Sequence, residues 1–111
     1  MEIVDKQIGG VTVLEMVGEI DGSNAAEAQS RVTAHVAPGA ALLLDMCGIT
    51  YMSSAGLRML LSTYRSVTGS GGRIVLVGLS EEIQDTMSAT GFLGFFDCKS
   101  TVDDALAVFN V

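Results

Sequence analysis

Two β-rich runs open the chain, Ile3 to Ile8 and Val11 to Val17, and Gly9-Gly10 between them suits the positive φ values of a tight hairpin. An antiparallel first pair is predicted. The pattern breaks over Gly18-Glu19-Ile20-Asp21-Gly22-Ser23-Asn24. Asn24 with Glu27 three residues later has the spacing of a capping box, and Ala25, Ala28, Val32 and Val36 follow at helical spacing. A first helix should therefore run to about Val36 and stop at Pro38-Gly39. Ala40 to Leu44 is unbroken and apolar, as expected of a strand buried on both faces, and Asp45 to Ser53 reads as the connection leaving it.

Leu57, Leu60, Leu61, Tyr64 and Val67 or Thr68 then form one apolar stripe, with Arg58, Ser62 and Arg65 facing away, which predicts a second helix. Gly69-Ser70-Gly71-Gly72 ends it, and Arg73 to Gly78 is another continuous buried strand. A helix between two such strands makes a right-handed parallel crossover. Ser80, with Glu81 and Glu82 in the first turn, opens a third helix carrying Ile83 and Met87 and ending before Gly91. Gly94-Phe95-Phe96-Asp97-Cys98 reads as a short edge strand. Thr101 with Asp104 is a further cap signature, and Val102, Ala105, Leu106 and Phe109 give a terminal helix its apolar face. The order predicts an α/β fold over residues 1–111. Its mixed sheet has four to five strands, with an antiparallel first hairpin and then parallel βα units, and helices pack on it.

Composition narrows the function classes. At 111 residues the chain suits one domain, and 49% hydrophobic against 17% charged residues is a globular balance. Six Lys and Arg against thirteen Asp and Glu give a net charge of −7, which repels phosphate backbones and anionic bilayers, so neither nucleic acid nor membrane is an expected partner. Cys47 and Cys98 stand far apart without a nearby His, which points away from a zinc site and a disulfide framework and towards ordinary buried or half-buried side chains. The start, Met1-Glu2-Ile3-Val4-Asp5-Lys6, lacks a basic segment followed by an apolar core, so a reduced cytoplasmic setting is expected. No cofactor is implied, and a monomer is the simplest expectation.

Chemistry is conceivable at one place, the stretch from Leu42-Leu43-Leu44-Asp45 to Tyr51-Met52-Ser53-Ser54-Ala55-Gly56-Leu57-Arg58. In sheets of this kind partners and ligands meet the carboxyl ends of the parallel strands, where the Gly18–Asn24 and Asp45–Ser53 connections should lie side by side. The Ser54 hydroxyl is placed to cap the second helix, a structural role. The same helix start tolerates a phosphoryl group through its free amides and positive dipole end. A hydrolase reading fails on the residues. Met52 stands where a nucleophile elbow needs Gly, and the only His, His35, is predicted near the end of the first helix, where it suits the dipole. The Gly69–Gly72 run precedes a strand and lacks the Lys-Ser/Thr of a phosphate loop, and Met16, Met46, Met52, Met59 and Met87 read as core filling.

The opening hairpin, Gly18-Glu19-Ile20-Asp21, the Leu-Leu-Leu-Asp strand and Tyr51-Met52-Ser53-Ser54-Ala55-Gly56-Leu57, taken together, resemble a STAS domain, and specifically the small bacterial anti-sigma factor antagonists. The resemblance implies a regulatory binding protein and no enzyme. In that family an anti-sigma factor with serine kinase activity phosphorylates the serine matching Ser54 and releases the product, and a serine phosphatase reverses the modification. The unphosphorylated form binds the anti-sigma factor and so frees a sigma factor for transcription. By the same resemblance, Asp21, Gly22, Ser23 and Asn24 share a partner surface with Met52, Ser53, Ser54, Ala55, Gly56 and Arg58. The well-studied antagonists often have Asp where this chain has Ser53, a neutral second candidate for modification.

A dianion on the otherwise neutral Ser53–Gly56 patch would oppose partner binding through desolvation, with Asp21 and Asp45 adding repulsion. Asp45 is more simply a backbone-bonding strand cap, and Arg58 a solvated residue on the helix face. The alternative reading is a non-phosphorylated STAS scaffold subunit of a sensory or lipid-transport assembly.

Overall fold

The chain runs β1 (Glu2–Ile8), β2 (Val11–Ile20), α1 (Ala25–Thr33), β3 (Ala41–Met52), α2 (Ser54–Gly69), β4 (Arg73–Val77), α3 (Glu81–Ala89), a 3-10 turn at Leu93–Phe95, β5 (Asp97–Lys99) and α4 (Val102–Val108), in a computed structural model describing residues 1–111. All five strands form one sheet in the order β1-β2-β3-β4-β5, antiparallel between β1 and β2 and parallel elsewhere. Gly9 and Gly10 have φ of +54° and +83°, the left-handed pair that a two-residue hairpin turn requires, and Ile8 pairs with Val11 across it.

Successive side chains of a strand face opposite sides of the sheet, and here both sides are covered. Leu42, Leu44 and Leu76 pack in one cluster with Ala28 and Val32 of α1, Leu57 and Leu60 of α2, and Ile83 and Met87 of α3. Leu43, Val75 and Val77 pack on the other side with Ala105 and Leu106 of α4. That double cover is why the two central strands read as unbroken apolar runs. Two caps hold as expected: Ser80 Oγ accepts from the Ile83 amide at 3.2 Å and Thr101 Oγ1 from the Asp104 amide at 3.1 Å. On the outer edge of β1, Arg31 Nη2 donates to the Ile3 carbonyl at 2.7 Å, covering an acceptor that an edge strand otherwise presents to other chains.

Several limits differ from the sequence reading. The largest difference is that Gly18–Ile20 and Asp45–Met52 are strand and not connection. The β2–β3 register slips between Glu15 and Val17 and again between Gly18 and Glu19, each time with an extra residue on β3. These bulges destroy the period of two and leave Met46, Ile49 and Met52 buried at intervals of three.

Helix α1 ends at Thr33 and not near Val36. The His35 and Val36 amides bond three residues back, to Val32 and Thr33, and Pro38 disfavours helix in the residue before it. His35 thus lies in the turn after α1. Gly94 and Phe95 belong to the 3-10 turn, with Phe95 and Phe96 packed on Tyr64 at ring centroid distances of 5.7 and 5.3 Å, and β5 is shifted to Asp97–Lys99. The buried face of α2 includes Met59 and Thr63 along with Leu57, Leu60 and Val67, while Leu61 and Tyr64 flank it half-buried. Cys98 is half-buried as expected. Cys47 is exposed, because the first bulge turns it away from both clusters.

Candidate functional site

Strands β2 and β3 end together. Glu19 pairs with Tyr51 and Ile20 with Met52, and the Ser53 amide donates to the Ile20 carbonyl at 2.9 Å, so the loop after β2 and the start of α2 are neighbours. The bond to Ile20 also sets the phase of α2. It holds Ser53 extended, at φ −78° and ψ 176°, and the first helical bond runs from the Leu57 amide to the Ser53 carbonyl. Ser53 is therefore the cap-position residue, and Ser54, expected there, is the first residue of the helix.

This one-residue offset separates the two serines. Ser54 is exposed. Ser53 Oγ is shielded from solvent, makes no cap hydrogen bond and has no other partner. Ala55 is half-buried and Arg58, one turn above Ser54, is exposed. Met52 and Gly56 are buried: a Cβ on Gly56 would lie 2.4 Å from Met52 Cγ and 3.1 Å from Ile20 Cγ2. These two residues seat the helix on the strand ends, so the flat patch expected over Ser53–Gly56 reduces at its surface to Ser54 with parts of Ser53 and Ala55. The first turn of α2 carries no acidic residue, which leaves its N-terminal field uncompensated.

The loop from Asp21 to Asn24 is closed by its own side chains. Asp21 Oδ1 accepts from the Ser23 amide at 2.8 Å and from the Ser23 hydroxyl, Asn24 Oδ1 accepts from the Asp21 amide at 3.0 Å, and Asn24 Nδ2 donates to the Glu19 carbonyl at 2.9 Å. Asn24 precedes α1 but makes no cap bond, because its amide is occupied backwards; the capping box with Glu27 does not form. The Ser23 hydroxyl, and after it the Ser23 amide, hold the Asp21 carboxyl below its ordinary range. Gly22 and Ser23 are exposed, and Asp21 and Asn24 half-buried.

Asp45 does not belong to this group. It sits within β3 with Oδ1 accepting from the Cys47 amide at 3.1 Å, at the first bulge. At roughly 3.3 Å per residue it lies about 20 Å down the strand from Met52, so it adds no repulsion at Ser54. The hydrogen bond to Asp45, then partial burial, pushes the Cys47 thiol up, and burial does the same to Cys98, so neither is activated as a thiolate. His35 is remote from the serines. The turn that holds it meets the far end of α2, where the Gly39 amide donates to the Ser70 carbonyl at 2.9 Å, about 24 Å along that 16-residue helix from Ser54.

One part of this end escaped the sequence reading. Tyr51 is 52% exposed and lines an open groove of about 90 Å³ with residues of α3. The bulges hide its outward direction, and nothing local ties it to Glu82.

The STAS domain profile matches residues 2–105. BtrV of Bordetella bronchiseptica is similar at 27% identity over 111 residues, covering 99% of this chain and 96% of its own. The structure of an anti-sigma factor antagonist from Mycobacterium paratuberculosis superposes with a TM-score of 0.87 at 27% identity, over 99% of this chain and 94% of its own. SpoIIAA of Bacillus shares the fold in its unphosphorylated form, at 18% identity over 98% of each chain, and in its phosphorylated form, at 16% over 97% of this chain and 99% of its own; both TM-scores are 0.74. With β1 to β5 in the shared arrangement and the profile spanning nearly every residue, the chain belongs to the STAS domain family.

Proposed function

We propose that this protein is an anti-sigma factor antagonist: unphosphorylated, it binds an anti-sigma factor that is also a serine kinase, and phosphorylation of Ser54 by that kinase ends the association. The observation carrying the reading is the contrast between the serines, one exposed on the first turn of α2 and the other with its oxygen shielded. A kinase needs a hydroxyl it can reach, and Ser54 is the one available. The similarity to a structure described as an anti-sigma factor antagonist supports the class of partner, and the SpoIIAA fold accommodates a phosphorylated form.

The mechanism follows from charge and solvation. A phosphoryl group adds about −1.5 to −2 charges, and the unpaired amides of α2 with its positive dipole end tolerate them, so the fold survives modification. An interface formed over Ser54 would have to desolvate that dianion, which is unfavourable unless the partner supplies a matched cation. Release then needs no large rearrangement of the antagonist. The closed Asp21–Asn24 loop supplies a second, already ordered part of the same surface, so little conformational freedom is lost on docking. A serine phosphatase acting on exposed phospho-Ser54 restores the binding form.

The test is to incubate the protein with the anti-sigma serine kinases of its source organism and Mg-ATP, and to map phosphate by mass spectrometry. Modification confined to Ser54 is the expected result. Phosphate on Ser53, or none with any kinase, overturns the proposal, and the second outcome favours a scaffold STAS subunit.

A further inference from the structure

Strand β3 outruns β4: their last pairing is Asp45 with Val77, yet β3 continues to Met52, so its upper edge on that side faces no strand. The groove beside this free edge is walled by Tyr51 and Met52, by Leu57 of α2, and by Glu82, Ile83 and Thr86 of α3. Its floor is apolar, since Met52, Leu57 and Ile83 are all less than 10% exposed. Its rim differs in kind. Tyr51 presents half its surface and exposed Glu82 stands on the opposite wall, while exposed Glu19 pairs with Tyr51 from the β2 side of β3, outside the groove. The chain has two ion pairs, Lys6 with Glu15 and Arg73 with Asp97, so neither Glu19 nor Glu82 is neutralised.

An apolar slot with an exposed phenol ring on one wall and an unpaired carboxylate, Glu82, on the other suits one kind of group, a long cationic side chain. Its methylenes would cover the floor, its charge would lie against the ring face, and the Glu82 carboxylate would receive its N–H donors. A planar, weakly hydrated guanidinium suits this better than an ammonium. The net charge of −7 acts in the same direction, by drawing a basic surface towards the molecule. We infer that the Tyr51 groove receives an arginine from the contact surface of the protein partner, beside the Ser54 start of α2. This deepens the proposed function and rests on its placing the partner at this end of the sheet.

The probe is the peptide acetyl-Gly-Arg-Gly-amide, titrated into the ¹⁵N-labelled protein, with the uncharged citrulline peptide as control. Saturable shifts should centre on Tyr51, Glu82 and Thr86, vanish with citrulline, and weaken at least fivefold in Glu82→Gln and Tyr51→Ala. Both residues are exposed, so the variants keep the fold, which their spectra verify directly. The absence of saturable shifts, shifts spread over the acidic surface, or unchanged affinity in both variants overturns the inference. The titration uses no kinase, so the groove can fail while Ser54 is phosphorylated, and it can bind arginine while Ser54 is not.

Discussion

Replacing Ser53 with Ala is predicted to stabilise the protein, at a position where the same change normally destabilises. The usual loss at the residue before a helix, about 0.5–2 kcal/mol, reflects the bond between its hydroxyl and an amide of the first turn. Ser53 Oγ makes no such bond and is shielded without a partner. A buried hydroxyl in that state is unfavourable by about 1–3 kcal/mol. Removing it should gain about 1 kcal/mol after allowance for the small void left by one oxygen. The backbone keeps its bonds, from the Ser53 amide to Ile20 at 2.9 Å and from the Leu57 amide to the Ser53 carbonyl at 3.0 Å. Urea unfolding followed by circular dichroism measures the effect. With m of about 1–3 kcal/mol/M, a gain of about 1 kcal/mol raises the midpoint by roughly 0.3–1 M. A fall of similar size would show that the hydroxyl caps α2, and the reason for setting Ser53 aside as a phosphate acceptor would go with it.

Gly56→Ala should destabilise: a Cβ 2.4 Å from Met52 Cγ forces repacking worth about 1–3 kcal/mol, more than the roughly 1 kcal/mol of helix propensity that Ala adds. Calorimetry should show the melting temperature lowered by several degrees, at about 4–8 °C per kcal/mol for a domain near this size; an unchanged value contradicts the tight seat of α2. Thr101→Ala and Ser80→Ala each remove an observed cap bond and should lose about 1 kcal/mol in urea titrations, opposite in sign to Ser53→Ala. Asp21 should titrate below 3.8 by NMR, and because its folded pKa is lowered, its contribution to stability is complete above the unfolded pKa and lost as pH falls through the folded one. Asp21→Asn should therefore flatten the stability profile on the acid side of that value, and an ordinary carboxyl titration would contradict the Ser23 bonds.

Much of the architecture was legible because local and global preferences agree. Leu42–Leu44 and Ile74–Val77 are apolar on both faces since helices cover both, Gly9-Gly10 dictates its turn, and Ser80 and Thr101 cap as their spacing indicates. The site was legible as a neighbourhood but not in phase. Bulges in β3 erase the alternation that would mark Met46–Met52 as strand, and the bond between the Ser53 amide and Ile20, a contact across 33 positions of sequence, decides which serine begins the helix. Asn24 looked like a cap because its type and spacing are right; the competing acceptor role towards the Asp21 amide is a loop property that spacing does not encode. Gly56 looked like part of a flat contact surface and is instead a point of close approach beneath it.

The central claim is that charge placed at Ser54 controls binding, and the most direct measurement is calorimetric titration of the anti-sigma factor with the unphosphorylated and the phosphorylated protein under identical salt. Loss of a desolvated interface to an unmatched dianion, at about 3 kcal/mol or more, predicts affinity at least 100-fold lower for the phosphorylated form. Ser54→Asp should be weakened in the same direction, and Ser54→Ala should bind like the unmodified protein. Equal affinity of the two forms, with Ser54 stoichiometrically phosphorylated, would contradict the account.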